Sequence, residues 1–227
     1  MSIIQITNLT KTYHDTEIPV HAVNGIDLSF EEGEFAAIVG PSGCGKTTLM
    51  NMIGGLEQPT SGKVVVDGSV MSELSSNKLI DFRLRNIGFV FQAYNLIPVL
   101  TAKENVEFIM QLQNWNKKKM DDRTIALLES VGLGEKLNSK PNQLSGGQQQ
   151  RVAVARALAS KPKFILADEP TANLDSTATN QLLDIMEKLN REEQITFIFA
   201  THDQRVMDKA RRVITLDDGK VISDNRK

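Results

Sequence analysis

The stretch that decides the fold is EFAAIVGPSGCGKTTLMNMIGG, residues 34–55. Its first seven residues are nearly all apolar, which is typical of a strand buried on both faces. Its last part has helical spacing and ends at Gly54 and Gly55. Between them lies the pattern G-x-x-x-x-G-K-T, with a strand before it and a helix after it. That context predicts a phosphate-binding loop.

This loop has the chemistry that phosphates require. Glycines let successive N–H groups point at an anion, and the following helix adds the positive end of its dipole. Lys46 is a point charge for the β- and γ-phosphates, and the Thr47 hydroxyl is a magnesium ligand. The residues predicted to bind nucleotide here are Gly40, Pro41, Ser42, Gly43, Cys44, Gly45, Lys46, Thr47 and Thr48. The alternative is a glycine turn followed by a chance Lys-Thr, and from Cys44 we expect backbone contacts and no thiol chemistry.

A second apolar run, FILA, ends in Asp168 and Glu169. The carboxyl ends of parallel strands share one sheet edge, so both carboxylates should lie near the phosphate loop. Asp168 would hold the metal through water, and Glu169 would polarise the attacking water as general base. An acidic pair after a strand can also be a plain helix cap. His202 ends a later apolar run, ITFIFAT, and is either a γ-phosphate sensor or a structural or exposed residue.

The order of apolar patterns indicates an α/β fold with a mostly parallel sheet. Residues 1–91 consist mainly of strands and turns, and 162–227 alternate strands such as RRVITLD with polar helices. Residues 92–161 contain only helical patterns, with N-caps predicted at Thr101 (a capping box with Glu104) and Ser145. We therefore expect one domain, with 1–91 and 162–227 as its core and 92–161 as an inserted helical lobe. VITLDDGKVIS near the end is interpreted as one strand.

Composition excludes several classes of protein. With 26 Lys and Arg against 28 Asp and Glu, the formal charge is −2, which does not favour binding to nucleic acid through charge alone. No run approaches the length of a membrane-spanning helix, and the N-terminus shows no secretory signal. A single cysteine, Cys44, allows no internal disulfide and fits a reducing cytosol. His14 and His21 are interpreted as surface residues.

LSGGQ at residues 144–148 lies between the phosphate loop and the Asp-Glu strand end, and it resembles the signature of the ATP-binding cassette (ABC) ATPases. The resemblance covers the whole chain, in six motifs that follow the family's order. Tyr13 matches the aromatic residue that stacks on adenine, and Gln92 matches the glutamine that contacts magnesium and water. Asp175 lies in a loop like the one that crosses the dimer interface, and His202 matches the switch histidine. Ser145, Gly146, Gly147 and Gln148 match the residues that bind nucleotide across that interface.

The resemblance implies a P-loop NTPase core with an N-terminal antiparallel part and an inserted helical subdomain. It implies an ATPase that takes ATP with Mg²⁺ and forms a head-to-tail homodimer, with two ATPs held between phosphate loops and signatures. Within the family, GFVFQAYNLIPVLTAKENV is similar to the branch of macrolide exporters and lipoprotein-releasing complexes. That branch implies a separate integral membrane permease subunit with few spanning helices and a large extracytoplasmic domain. The chain would then lie on the cytoplasmic face of the membrane, with no nucleic-acid partner and no C-terminal regulatory domain.

The apolar stretch after Gln92 is a candidate docking surface for that partner. Its residues are Tyr94, Leu96, Ile97, Pro98, Val99 and Leu100. The alternative is that they pack inside the lobe. Trp115 with Lys117–Lys119 could meet anionic lipid, although a solvated turn is the simpler interpretation.

Two other functions compete with the membrane-linked ATPase. A soluble ABC-type protein acting on nucleic acid or ribosomes would usually carry two cassettes, a long coiled coil or a basic insertion. None of these is present in the sequence. A P-loop kinase for a small molecule is disfavoured by LSGGQ and Glu169.

Overall fold

The computed structural model describes residues 2–14 and 19–227. The strands are β1 (Ser2–Tyr13), β2 (Val20–Glu31), β3 (Phe35–Val39), β4 (Ser61–Val66), β5 (Ser69–Val70), β6 (Ile87–Val90), β7 (Phe164–Asp168), β8 (Thr196–Ala200), β9 (Arg212–Asp217) and β10 (Lys220–Arg226). The α-helices are α1 (Lys46–Ile53), α2 (Ser76–Asn86), α3 (Ala102–Leu112), α4 (Lys117–Ser130), α5 (Gly146–Ala159), α6 (Ser176–Glu193) and α7 (Gln204–Lys209).

The larger sheet has the strand order β10-β9-β3-β8-β7-β6. Its pairs from β9 to β6 are parallel, and β10 is added antiparallel to β9. Every residue of β3 and β8 is buried, as expected for central strands covered on both faces. The carboxyl ends of β3, β7 and β8 therefore meet at one edge, where the predicted site residues follow.

The two faces of this sheet are covered by different parts of the chain. Phe35, Ala37 and Val39 of β3 pack into a core shared with α3–α6. Ala36 and Ile38 point the other way, into a core shared with α1 and a smaller antiparallel sheet of order β2-β1-β4-β5. This is the predicted α/β architecture with an N-terminal antiparallel part, and it is confirmed.

The segment 92–161 contains α3, α4 and α5 and no strand, as the pattern predicted. Thr101 caps α3 with Glu104 in a reciprocal capping box, and Ser145 caps α5 in the same way with Gln148. Both predicted caps are confirmed. The division of the chain into a core and a lobe at these boundaries stays a prediction.

Two local predictions were wrong. Residues 76–86 form the helix α2, although the first ninety residues were interpreted as mainly strands and turns. VITLDDGKVIS is not one strand, because the chain reverses at Asp218 and Gly219, both with positive φ, and forms the β9–β10 hairpin. An Asp-Gly pair is a strong hairpin signal, since both central residues of a type I′ turn need positive φ. Within the described ranges, none of the helices could cross a bilayer.

Candidate nucleotide and hydrolysis site

The loop between β3 and α1 approaches other backbone segments so closely that two of its residues must be glycine. A Cβ on Gly40 would lie 2.1 Å from the Leu216 carbonyl oxygen, and one on Gly45 would lie 2.0 Å from that of Ala22. Both glycines also have positive φ. The glycine pattern therefore reflects a tight turn pressed against β9 and β2, which points the loop toward the sheet edge.

Lys46 opens α1 with only 9% of its surface exposed. Its ammonium donates hydrogen bonds to the carbonyl oxygens of Gly40 at 2.8 Å and Pro41 at 2.9 Å. The positive charge thus lies within the curve of the loop. Cys44 is buried, with its Sγ 3.9 Å from the Lys46 Nζ.

The end of β7 meets this loop through Asp168. The Thr47 hydroxyl donates to Asp168 Oδ2 at 3.0 Å, so the two predicted magnesium ligands are adjacent. The pKa of the Asp168 carboxyl is raised, chiefly by burial and also by the negative charge of Glu169. The hydrogen bond from Thr47 and the positive charge of Lys46 act in the opposite direction and lower this pKa. The carboxylate therefore lies in a poorly solvated place where a cation would stabilise its charge.

Glu169 is held by the next strand of the sheet. Its N–H donates to the Ala200 carbonyl at 2.8 Å, and its φ of 45° is rare for a residue with a side chain. One carboxylate oxygen accepts from the Thr201 hydroxyl at 3.1 Å, and the other lies 2.7 Å from His202 Nδ1. The predicted general base and the predicted phosphate sensor are therefore in direct contact.

Lys46, Thr47, Glu169 and His202 line one cavity of about 570 Å³, whereas Cys44 and Asp168 are not part of its lining. Its lining combines the phosphate loop with three residues that are distant in sequence, namely Gln92, Glu169 and His202. Ala22 and Ala172 also line it, and sequence reasoning missed both, because small apolar residues carry no chemical signal. The structure thus assembles the predicted site from four separate segments of the chain.

Tyr13 lies at the end of β1, beside this cavity but not in its lining. Burial, together with a hydrogen bond to Glu57, raises the pKa of its hydroxyl, against a hydrogen bond with Thr48 and the Lys11 charge. The Lys11 ammonium is 5.0 Å from the centre of its ring. Its proximity to Thr48 places the ring near the start of α1, whereas its role toward adenine stays a prediction. His14 and His21 are exposed, as expected.

The signature residues form a second concave site at the N-terminus of α5. Ser145, Gly146 and Gly147 line a cleft of about 290 Å³ together with the loop 173–175. In that loop, Asp175 caps α6 by accepting from the Ala178 N–H at 2.8 Å. Gln148 is occupied in the capping box, where its side chain accepts from the Ser145 N–H at 2.9 Å. Among the residues that the structure describes, none lines both this cleft and the nucleotide cavity.

The fold and the site together define a P-loop nucleoside triphosphatase. The family model described as ABC transporter matches residues 23–172. The chain is 46% identical over 223 residues to a macrolide export ATP-binding/permease protein MacB of Hyphomonas neptunium, covering 98% of this chain and 34% of that protein. It is 48% identical to the uncharacterized ABC transporter ATP-binding protein MJ1508 of Methanocaldococcus jannaschii, covering 96% and 97% of the two chains.

Among solved structures, the dimeric post-hydrolysis state of the ATP-binding cassette MJ0796 bound to ADP and Pi has a TM-score of 0.90 and 43% identity, with 98% of both chains covered. The chain belongs to the ABC transporter family and is an ATP-binding, ATP-hydrolysing domain of it. It spans about a third of the length of the MacB relative and nearly all of MJ1508.

Proposed function

We propose that the chain hydrolyses ATP in the cavity formed by the phosphate loop, Glu169 and His202, and so drives a separate membrane subunit. The observation that carries this proposal is the contact between Glu169 and His202 across from Lys46 in a single cavity. Lys46 would bind the β- and γ-phosphates, with the loop N–H groups around them. Glu169 would accept a proton from the attacking water, and His202 would hydrogen-bond the γ-phosphate.

Magnesium fits the donors present. Mg²⁺ is usually held by one or two protein oxygens together with substrate phosphates, not by a cage of side chains. Thr47 and Asp168 provide a hydroxyl and a carboxylate 3.0 Å apart, and Gln92 adds an amide to the cavity. No group of three or more His, Cys, Asp or Glu residues in the part of the chain described here forms a metal site by itself. The metal would neutralise phosphate charge, with Thr47 and Gln92 as its ligands and Asp168 holding it through water.

The two anion sites of one chain lie apart, which supports the head-to-tail homodimer. The lining of the nucleotide cavity does not include the α5 N-terminus, and the cleft of Ser145, Gly146 and Gly147, which contains Arg151, does not include the phosphate loop. A twofold axis would bring each cleft onto the phosphates bound by the other subunit and complete both sites at once. The MJ0796 cassette, which is similar over 98% of both chains, forms a dimer.

A groove of about 270 Å³ supports docking of a membrane partner. It is lined by the apolar residues Leu84, Ile87, Phe89, Phe91 and Ile109, together with Arg83 and Arg156. The Arg156 guanidinium donates to the carbonyls of Tyr94 and Asn95. These hydrogen bonds hold the start of the predicted docking stretch, residues 94–100, next to this groove. Within that stretch Leu96 packs on the core, whereas Val99 is 70% exposed. A partner helix would enter the groove and contact Val99.

The relative named for macrolide export combines an ATP-binding part with a permease. By this similarity we place the chain in the macrolide-exporter and lipoprotein-release branch, on the cytoplasmic face of the membrane through its partner. That partner would have few spanning helices and a large extracytoplasmic domain. Trp115 and the exposed Lys117–Lys119 lie at the start of α4, away from the groove lining, so they carry no part of this proposal.

The first test is to capture partners from detergent-solubilised membranes on tagged Glu169→Gln protein with Mg-ATP. We expect the variant to bind ATP, form a trapped dimer and retain a permease of the stated architecture. Adding Val99→Glu should abolish capture, while Ile222→Glu, which alters an equally exposed apolar residue on β10, should not. A many-helix permease would refute the branch, and ribosomal or DNA-repair proteins would refute the membrane role. Normal turnover by Glu169→Gln would refute the general-base assignment.

A further inference from the structure

A hydrogen bond between Thr171 and Asp203 joins the turns that carry Glu169 and His202. Neither Thr171 nor Asp203 has a role in the site described above. Thr171 follows Glu169 by two positions and is 2% exposed. Its hydroxyl donates to Asp203 Oδ2 at 2.9 Å, and Asp203 directly follows His202. This hydrogen bond therefore connects the segments that follow β7 and β8, beyond the last paired residues of the two strands.

The same two turns are joined a second time through Thr201. The Asp203 N–H donates to the Thr201 hydroxyl at 3.0 Å, and that hydroxyl donates to Glu169 Oε2 at 3.1 Å. A hydroxyl that both accepts and donates has one fixed orientation. Glu169, Thr201, Asp203 and Thr171 therefore form a closed ring of hydrogen bonds and chain. His202 lies between Thr201 and Asp203 in that chain, and its exposed side chain contacts Glu169.

Arg205 keeps the Asp203 carboxylate fixed. Its guanidinium donates through Nε and Nη2, and its backbone N–H donates to Oδ1 at 2.9 Å. These bonds hold the pKa of Asp203 below its usual range. An acceptor that is ionised and fixed in place makes the bond from Thr171 stronger and more directional than one between neutral groups.

Glu169 needs such support because its backbone has a strained conformation. Its φ of 45° costs free energy and persists only where surrounding contacts impose it. Its own contacts are with the Ala200 carbonyl, the Ala172 N–H, the Thr201 hydroxyl and His202, and the Thr171–Asp203 bond holds the segments that provide them.

We propose that Thr171 and Asp203 are positioning residues that hold Glu169 and His202 in one fixed arrangement for the attack of water on ATP. This inference rests on the roles proposed above for Glu169 and His202. Neither residue is in the lining of the nucleotide cavity, so we expect both to act on turnover and not on ATP binding.

The test is steady-state ATP hydrolysis by Thr171→Val, which removes the hydroxyl and keeps the shape. We expect kcat to fall about tenfold, since a small displacement of reacting groups is costly, and KM for ATP to change less than about twofold. Thr171→Ser restores the hydroxyl and should recover most of the rate. Combined with Asp203→Ala, Thr171→Val should add little to the loss caused by Asp203→Ala alone, because both break one bond.

Two control variants separate positioning from stability. Thr179→Val alters another buried threonine, whose hydroxyl has no hydrogen-bond partner among the described residues, and it should leave kcat unchanged. Asp208→Asn alters an exposed carboxylate on α7, the helix that Asp203 caps, and should also leave kcat unchanged.

A spectroscopic measurement reports the arrangement directly. The chain has 3 histidines, so ¹⁵N-histidine labelling gives few signals, and His202→Ala assigns one of them. Thr171→Val should shift or broaden the His202 signal alone, and Thr171→Ser should not. Equal kcat in Thr171→Val and wild type, or an unchanged His202 signal, overturns the inference. If instead Glu169→Gln turns over normally, the proposed function fails, whatever the Thr171 variants do.

Discussion

At the scale of single residues, the site is made of groups held by their neighbours before any ligand is considered. The Lys46 ammonium is bonded to two loop carbonyls, Thr47 to Asp168, and Glu169 to Thr201 and His202. Each of these bonds lies where a phosphate, metal or water would compete for the same atoms. The side chains of the site are thus held in place in advance, and a bound ligand would replace their present hydrogen-bond partners.

Lys46→Ala should remove nucleotide binding or hydrolysis. The lysine is the only cation lining the cavity within the described residues, so nothing nearby can replace its charge on the phosphates. Titration with a fluorescent ATP analogue measures the loss, and Lys63→Ala, at an exposed position on β4, serves as the control. Wild-type affinity and turnover in Lys46→Ala would contradict the placement of the phosphates.

At the scale of elements, the edge strand β6 and the signature helix α5 pack with almost no space between them. A Cβ on Gly88 would lie 2.7 Å from the Ala157 carbonyl oxygen and 2.9 Å from Ile165. A backbone carbonyl cannot move aside as the end of a flexible side chain can. β6 and α5 can therefore pack this closely only because residue 88 is glycine.

Gly88→Ala should therefore destabilise the protein by about 1–3 kcal/mol, the usual cost of overpacking. Urea unfolding measures this loss. Gly134→Ala is the matched control, since the atom nearest to its Cβ would be in the flexible Glu129 side chain, at 3.0 Å, and the nearest Glu129 backbone atom would be at 3.9 Å. Equal stability of Gly88→Ala and wild type would show that β6 and α5 can move apart freely.

The β9–β10 hairpin is stabilised by the buried guanidinium of Arg212. Arg212 is 5% exposed and donates to Asp224 of β10 at 2.7 and 2.8 Å, and also to Glu34 and the Ser29 carbonyl. The hydrogen bonds from Arg212 lower the pKa of Asp224. A lowered pKa means that this stabilisation is present above the ordinary aspartate pKa and is lost as pH falls through the lowered value.

Asp224→Asn should cost about 1.5 kcal/mol of unfolding free energy at pH 7. The difference from wild type should shrink as pH falls below about 4, because the wild-type carboxylate is then protonated too. Unfolding in urea at several pH values tests this. Asp67→Asn, which breaks an exposed pair with Lys163, should change stability by under about 1 kcal/mol. A pH-independent difference for Asp224→Asn would contradict the ionic origin.

Sequence alone predicts the elements that carry a strong local signal. β3 and β7 were found because both are continuous apolar runs. The N-caps of α3 and α5 were found because an N-cap residue is a local signal, strengthened at α3 by the Thr101–Glu104 capping box. The helix α2 was missed because its residues are mostly polar and only Leu79 is buried. The same limit applies to the site: motifs identify Lys46 or Glu169, whereas the Thr171–Asp203 bond joins residues 32 positions apart and depends on strand order.

At the scale of the whole molecule, the phosphate loop and the signature line two separate cavities of one chain. The phosphate loop follows β3, and the signature opens α5 within the segment 92–161. The side chain of Asn173, which lines the signature cleft, donates at 3.0 Å to the carbonyl of Gln92, which lines the nucleotide cavity. This hydrogen bond joins the linings of the two cavities, and in the proposed dimer each cavity would be completed by the other subunit.

A head-to-tail dimer makes a specific prediction about mixed subunits. Lys46→Ala damages the phosphate loop, and Ser145→Arg blocks the signature cleft, so either homodimer should be inactive. In a mixed dimer, twofold symmetry places both defects in one site and leaves the other intact. If half of the dimers are mixed and each has one working site, an equimolar mixture should recover about a quarter of the wild-type rate. ATP hydrolysis by the mixture, compared with each variant alone, gives this rate. Wild-type protein mixed with Lys46→Ala is the control, because it shows whether a dimer with one intact site turns over. Its wild-type homodimers alone supply about a quarter of the wild-type rate, so only a rate above that shows that mixed dimers turn over. If the control exceeds that rate and the double-variant mixture is inactive, the phosphate loop and the signature do not meet across the dimer interface.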